Sequence, residues 1–178
     1  MKITVPTSLE DITLETYLKY EATENKQEKI AILLGISLDT FRNIEKPSLK
    51  EIDNLLSLFQ TDDESFPLVP IIEIDNVKLG FIPDLHRNTL GEFGDLETLC
   101  AEPMKNLVQI TSILYREVTE ESGDSYEIKP YTTHEDKERV KKIPMSVVMG
   151  MLDFFLSIGI RFAQNLAQSS MEMVKEAQ

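Results

Sequence analysis

The sequence predicts a mostly α, α+β fold: a helical N-terminal half, a central β-hairpin and a long C-terminal helix. Three observations predict it. Apolar residues recur in steps of three and four through residues 13–59 and again from residue 89 onward, the period that seals one face of a helix. Residues 71–82 instead place β-branched apolar residues on both sides of an Asp75-Asn76 pair, a hairpin signature. From Pro144 to Gln178 no further proline interrupts the helical spacing. The expected organisation is a single domain over 1–178, with helices in 1–60, an acidic linker over 61–70, the hairpin plus helices over 71–143 and the long helix over 144–178.

Each element has a local cause. Lys2 to Val5 alternates polar and apolar residues and stops at Pro6, as a short edge strand does. Thr13 is placed to N-cap a helix whose Leu14, Tyr17 and Leu18 share a face. Glu24 to Leu34 repeats the pattern through Ile30, Leu33 and Leu34, and Gly35 stands where a C-terminal glycine cap belongs. A short helical turn from Ser37 to Ile44 follows. Ser48 and Glu51 have capping-box spacing ahead of a stripe of Ile52, Leu55, Leu56 and Phe59. Gln60 to Pro70 is acidic and bracketed by prolines, a linker composition. After the hairpin, Thr89 and Glu92 form a second capping box and open a helix carrying Leu90, Phe93, Leu96 and Leu99. Pro103 suits the first turn of the next, with Leu107, Ile110, Ile113 and Leu114 facing inward. Ser122-Gly123-Asp124 marks a loop between two short extended pieces, and His134 to Lys142 is a charged helix.

The terminal segment carries the functional expectation. Unbroken, it would be about 50 Å long at 1.5 Å per residue, with Gly150 and Gly159 as its weak points. Val148, Met151, Leu152, Phe155, Ile158, Phe162 and Leu166 make one stripe; Val147, Phe154, Leu156 and Ile160 fall outside it. A helix apolar on more than one face needs more than one surface to bury against. One surface is the chain's own core and the other is expected to be a partner. The expected partner-binding residues are Val147, Phe154, Leu156, Ile160, Met171 and Val174. Five of the seven methionines lie in this segment, and flexible thioethers suit surfaces that accept partners.

Charge narrows the function classes. With 31 Asp plus Glu against 18 Lys plus Arg, the formal net charge is −13, a field that repels nucleic acid and anionic membranes. The basic run Lys137, Arg139, Lys141 and Lys142 is interrupted by Glu138 and fits a solvated helix face. A single cysteine, Cys100, leaves no intrachain disulfide framework and fits a reducing cytoplasm. The N-terminal residues have no apolar core of the kind a secretory signal needs. Ile143 to Ile160 approaches membrane-spanning length, but Asp153 near its middle makes a buried helix the better expectation.

No catalytic, cofactor-binding or metal-binding set is expected. Cys100, His86 and His134 lack the surroundings of a nucleophile–base pair, and neither histidine has a second ligand at metal spacing. Asp62, Asp63 and Glu64 lack the alternating ligands and glycine of a calcium loop. Gly91 and Gly94 have the wrong spacing and acidic neighbours for a phosphate loop, and are expected to let one helix approach another closely.

The order of motifs resembles a loosely defined group of small proteins encoded among the morphogenesis genes of tailed bacteriophages. The resemblance rests on the Ile3 to Pro6 strand, Ile12 to Leu14 with Tyr17 to Tyr20, Ile32 to Ser37, Gly80 to Leu85, Leu90 to Glu97, Ile113 to Val118 and Ile143 to Gly159. It spans about residues 1–162, and each motif is structural; their succession carries the signal. It implies a non-enzymatic virion morphogenesis protein that binds proteins, either a structural component of the head–tail or tail apparatus or a tail assembly chaperone. The implied partners are other virion or tail proteins, or further copies in an oligomer or ring, without direct nucleic-acid or membrane binding. The implied location is the host cytoplasm during assembly, or the virion. The residues past Phe162 extend beyond the shorter ends of that group and suit a subunit locked into an assembly. Two rivals are an acidic decoy that occupies a nucleic-acid-binding partner with rows of carboxylates, and a small enzyme using Cys100 or the acids near Glu92 and Asp95.

Overall fold

Side-chain caps decide where the chain turns helical. The computed structural model describes residues 5–43, 54, 56–57, 66–82, 89–123, 125–132, 137–155 and 157. Ser8 caps a 3-10 turn, Leu9–Asp11, with the Asp11 side chain closing a capping box. Thr13 Oγ1 accepts from the Thr16 N–H at 3.2 Å and starts α1, Leu14–Glu21. Asn25 Oδ1 accepts from Gln27 and Glu28 and starts α2, Lys26–Leu33. That helix ends at Gly35, whose φ of +65° is left-handed backbone, while the Ile36 and Gly35 N–H groups reach back to the Ala31 and Ile32 carbonyls. Ser37 caps α3, Leu38–Arg42.

The hairpin forms where expected. β1, Ile71–Ile74, and β2, Val77–Phe81, pair antiparallel with Ile74 opposite Val77. Asp75 and Asn76 both take positive φ, 51° and 59°, the geometry of a two-residue turn that matches strand twist. The hairpin is half of a larger sheet. After α4, Leu90–Leu99, and α5, Leu107–Leu114, the chain passes without a connecting residue into β3, Tyr115–Ser122, and returns as β4, Ser125–Ile128. The four strands lie in the order β1-β2-β3-β4, every neighbour antiparallel, with Phe81 opposite Tyr115. A short helix α6, Lys137–Val140, follows. Gly80 is required by the sheet: the Tyr126 ring crosses it so closely that a Cβ there would sit 2.6 Å from the ring. The Tyr126 hydroxyl donates to the Phe81 carbonyl at 2.6 Å.

The two ends of the described chain share one core. Thr13 and Pro144 form an antiparallel bridge, the Leu14 N–H donates to Ile143 O at 2.9 Å and the Met145 N–H donates to Ile12 O at 2.7 Å. Ile12, Leu14, Ile143, Met145, Val148 and Met151 are at most 1% exposed and join Leu107, Ile110 and Leu114 in a single cluster. Residues 66–69, assigned to the linker by composition, pack on that cluster through Phe66, Leu68 and Val69. The Tyr115 hydroxyl ties them down by donating to Val69 O at 2.6 Å.

The long C-terminal helix expected over 144–178 is corrected. Helix, here α7, is described over 145–155, about 16 Å at 1.5 Å per residue, and residues 158–178 lie outside the described residues. So do positions 2–4 of the expected edge strand, the Ser48–Glu51 capping box and the acidic stretch 58–65. The expectation overreached because α7 finds both of its surfaces within the chain. One side meets the core at Val147, Val148 and Met151; another meets residues 66–67 and the sheet. Phe154 stands edge-on to Phe81 at 5.5 Å between ring centroids, and Phe81 is edge-on to Tyr115 at the same spacing. Among the described residues no helix is long and apolar enough to cross a membrane.

Gly150 fixes how closely α7 seats. A Cβ there would lie 2.4 Å from the Pro67 carbonyl oxygen, a backbone atom with no rotamer to yield. Gly150→Ala is therefore expected to lower unfolding free energy by about 1–3 kcal/mol, the usual cost of overpacking, measured as a fall in the urea midpoint at unchanged m-value.

Candidate protein-binding face

Helix α4 owes its start and its rotation to one side chain. Thr89 Oγ1 accepts from the Glu92 N–H at 3.2 Å, and Glu92 Oε2 accepts from the Thr89 N–H at 2.6 Å, completing the capping box legible in the sequence. The other oxygen, Oε1, lies 2.8 Å from Arg116 Nη2 on β3. Both side chains are buried, Glu92 at 3% and Arg116 at 6% exposed. A charged pair so fully removed from water holds only with such geometry, and here it pins the first turn of α4 to the sheet. Leu96 is buried on the same side, Leu99 and Cys100 are partly covered, the Asn106 side chain donates to Leu99 O at 3.0 Å, and the Tyr131 hydroxyl donates to Asp95.

With Glu92 facing inward, the first turn's apolar residues face out. Leu90 is 92% and Phe93 61% exposed, and Gly94, Glu97 and Ala101 continue the exposed side. The reason lies in the spacing. Each step of three residues falls about 60° short of a full circle, so Leu90 and Leu99 stand on opposite sides of the helix. Of the four large exposed hydrophobics among the described residues, Leu90 and Phe93 stand three positions apart on α4 and so are neighbours on one side of the helix. Gly91 and Gly94 serve no close approach among the described residues. A Cβ at Gly94 would meet nothing within 4 Å, and one at Gly91 only the neighbouring Thr89 hydroxyl at 3.9 Å. Gly94, in the helix interior, costs about 1 kcal/mol relative to alanine.

The residues expected to bind a partner do not gather here. Val147 is buried in the chain's own core, which removes it from any partner, because residues of the same polypeptide already cover it. Phe154 is half-buried against Phe81. Leu156, Ile160, Met171 and Val174 lie outside the described residues. The exposed pair Leu90 and Phe93 was missed as a surface, although the drift in step-of-three spacing carried the signal.

Other constellations are accounted for by local chemistry. Burial pushes the Cys100 thiol pKa up, which reduces its thiolate fraction. His86 and His134 lie outside the described residues. Among the described residues no group of His, Cys, Asp or Glu is arranged to hold a metal ion. The acids on β3 do not stand as a bare row: Glu117 is paired with Lys129, and Glu121 with Lys78 at 2.7 Å. No family model, curated protein or solved structure matches the chain.

Removing one partner of the buried pair should be far worse than removing both. Glu92→Ala is expected to cost about 3–5 kcal/mol, while Glu92→Met with Arg116→Leu recovers most of it, as equilibrium denaturation would record. Folded protein is also expected to alkylate at Cys100 more slowly than urea-unfolded protein at pH 8, because burial raises the thiol pKa; equal rates would contradict the burial.

Proposed function

We propose that this chain is a non-enzymatic protein-binding component of tailed-phage particle assembly, acting in the head–tail or tail apparatus or as a tail assembly chaperone. The observation that carries the binding role is the outward face of α4, where Leu90 and Phe93 stand in solvent on a helix anchored by a buried ion pair. A rigid scaffold that presents apolar side chains binds without first ordering them, which spares part of the entropic cost of association. Gly94 leaves room for a partner's backbone to approach the helix directly. The phage assignment rests on the motif order from Ile3 to Gly159.

The surrounding charge selects the partner's chemistry. Asp95, Glu97 and Glu102 lie exposed around the patch, and the chain as a whole carries −13. Two copies facing each other through this patch would set like charges together, which is costly at close range. The fitting occupant is a different polypeptide with an apolar patch rimmed by Lys and Arg.

Leu90→Asp with Phe93→Asp is the direct test, because both residues are exposed and the fold should survive. The expected result is a purified variant with unchanged circular dichroism and melting temperature, in a phage that yields incomplete particles by electron microscopy. Normal infectious particles from the variant would overturn the assignment. Gly94→Ala separates stability from binding: it is expected to add about 0.5–1 kcal/mol to unfolding free energy while weakening partner binding.

A further inference from the structure

On the sheet side of the Glu92–Arg116 pair lies a cavity of about 350 Å³ whose chemistry runs against the rest of the molecule. Among the described residues, Arg116, Lys129 and Arg139 line it against one carboxylate, Glu117, in a chain where acids outnumber bases 31 to 18. That lone carboxylate is engaged by Lys129. Arg116 spends one Nη on Glu92, and its buried Nε–H has no acceptor. That Nε is sealed from the cavity as it is from solvent, but the Arg116 side chain still forms part of the wall, beside Lys129 and Arg139, so the lining is rich in cations. Of the hydroxyls on the lining, Ser112 donates to Gln109 O at 2.8 Å and Tyr115 to Val69 O. Leu79, Pro130 and Val140 supply an apolar wall.

We infer that this cavity binds a small organic carboxylate, its oxygens on the Arg116 and Arg139 side and its short apolar body against Leu79, Pro130 and Val140. The volume falls at the low end of small-molecule sites, about 300–1,000 Å³, and suits a ligand of metabolite size. A planar guanidinium matches a carboxylate's two oxygens. A chain of net charge −13 admits a monoanion more readily than a phosphate dianion, since each added negative charge is repelled by the whole field. The site is separate from the α4 face and does not depend on it.

The test is a titration of the full chain, at constant ionic strength, with butyrate, inorganic phosphate and chloride, followed by amide chemical shifts. Butyrate should give saturable shifts confined to amides near Ser112, Arg116, Lys129–Thr132 and Arg139–Val140. Arg139→Gln and Lys129→Gln, which leave the Glu92–Arg116 pair intact, should each weaken the response by about tenfold. Leu90→Asp should bind butyrate as the unaltered chain does, which keeps this result distinct from the protein-binding face. Absence of saturation with butyrate, the same shifts with chloride, or shifts untouched by Arg139→Gln would each overturn the site. Saturation with phosphate but not butyrate would overturn the carboxylate assignment.

Discussion

Much of this molecule hangs on the carboxylate of Glu92. One oxygen closes the N-terminus of α4 and the other reaches Arg116 in the middle of the sheet. A helix cap alone fixes where a helix begins but leaves its rotation free; an ion pair alone holds two elements together but does not say where either starts. Joining both in one side chain sets start, rotation and docking together. An apolar pair of similar volume could hold helix to sheet as firmly, since buried ion pairs contribute little net stability. It could not also satisfy the Thr89 N–H, and the first turn would lose its fixed orientation.

Two surfaces follow from that placement. Outside, Leu90 and Phe93 are carried into solvent on a helix held too firmly to turn them inward. Inside, Arg116 helps to wall a cavity lined by two further cations. The net charge of −13 sets like charges against each other whenever two copies meet.

The rest of the fold is closed by pairing the beginning of the described chain with its end. Ile12 to Glu15 exchange backbone hydrogen bonds with Lys141 to Met145, so α1 and α7 start from a common seam. Around that seam α7 is apolar on more than one side because it touches the N-terminal segment, residues 66–67 and the sheet in turn. Breadth of apolar surface on a helix therefore reports how many neighbours it has. It does not report whether those neighbours belong to the same polypeptide.

The features legible from the residues alone are local. Thr13, Gly35, Asp75-Asn76 and the Thr89–Glu92 box each act within a few residues through their own hydrogen bonds or permitted dihedral angles, so their effects were legible without the fold. Tertiary structure alone decided the rest. The extended pieces beside Ser122-Gly123-Asp124 were legible, but that β3 begins at Tyr115 straight out of α5 is set by pairing with β2, while its later residues pair with β4. The burial of Glu92 requires Arg116, twenty-four positions away, and a charge at a buried position overrides the apolar pattern that would have turned Leu90 and Phe93 inward. Val147 went from expected interface to core because the surface that covers it comes from distant parts of the same chain. Interactions between residues far apart in sequence leave no periodic trace in either segment, and that is why the candidate site emerged only once the sheet was assembled.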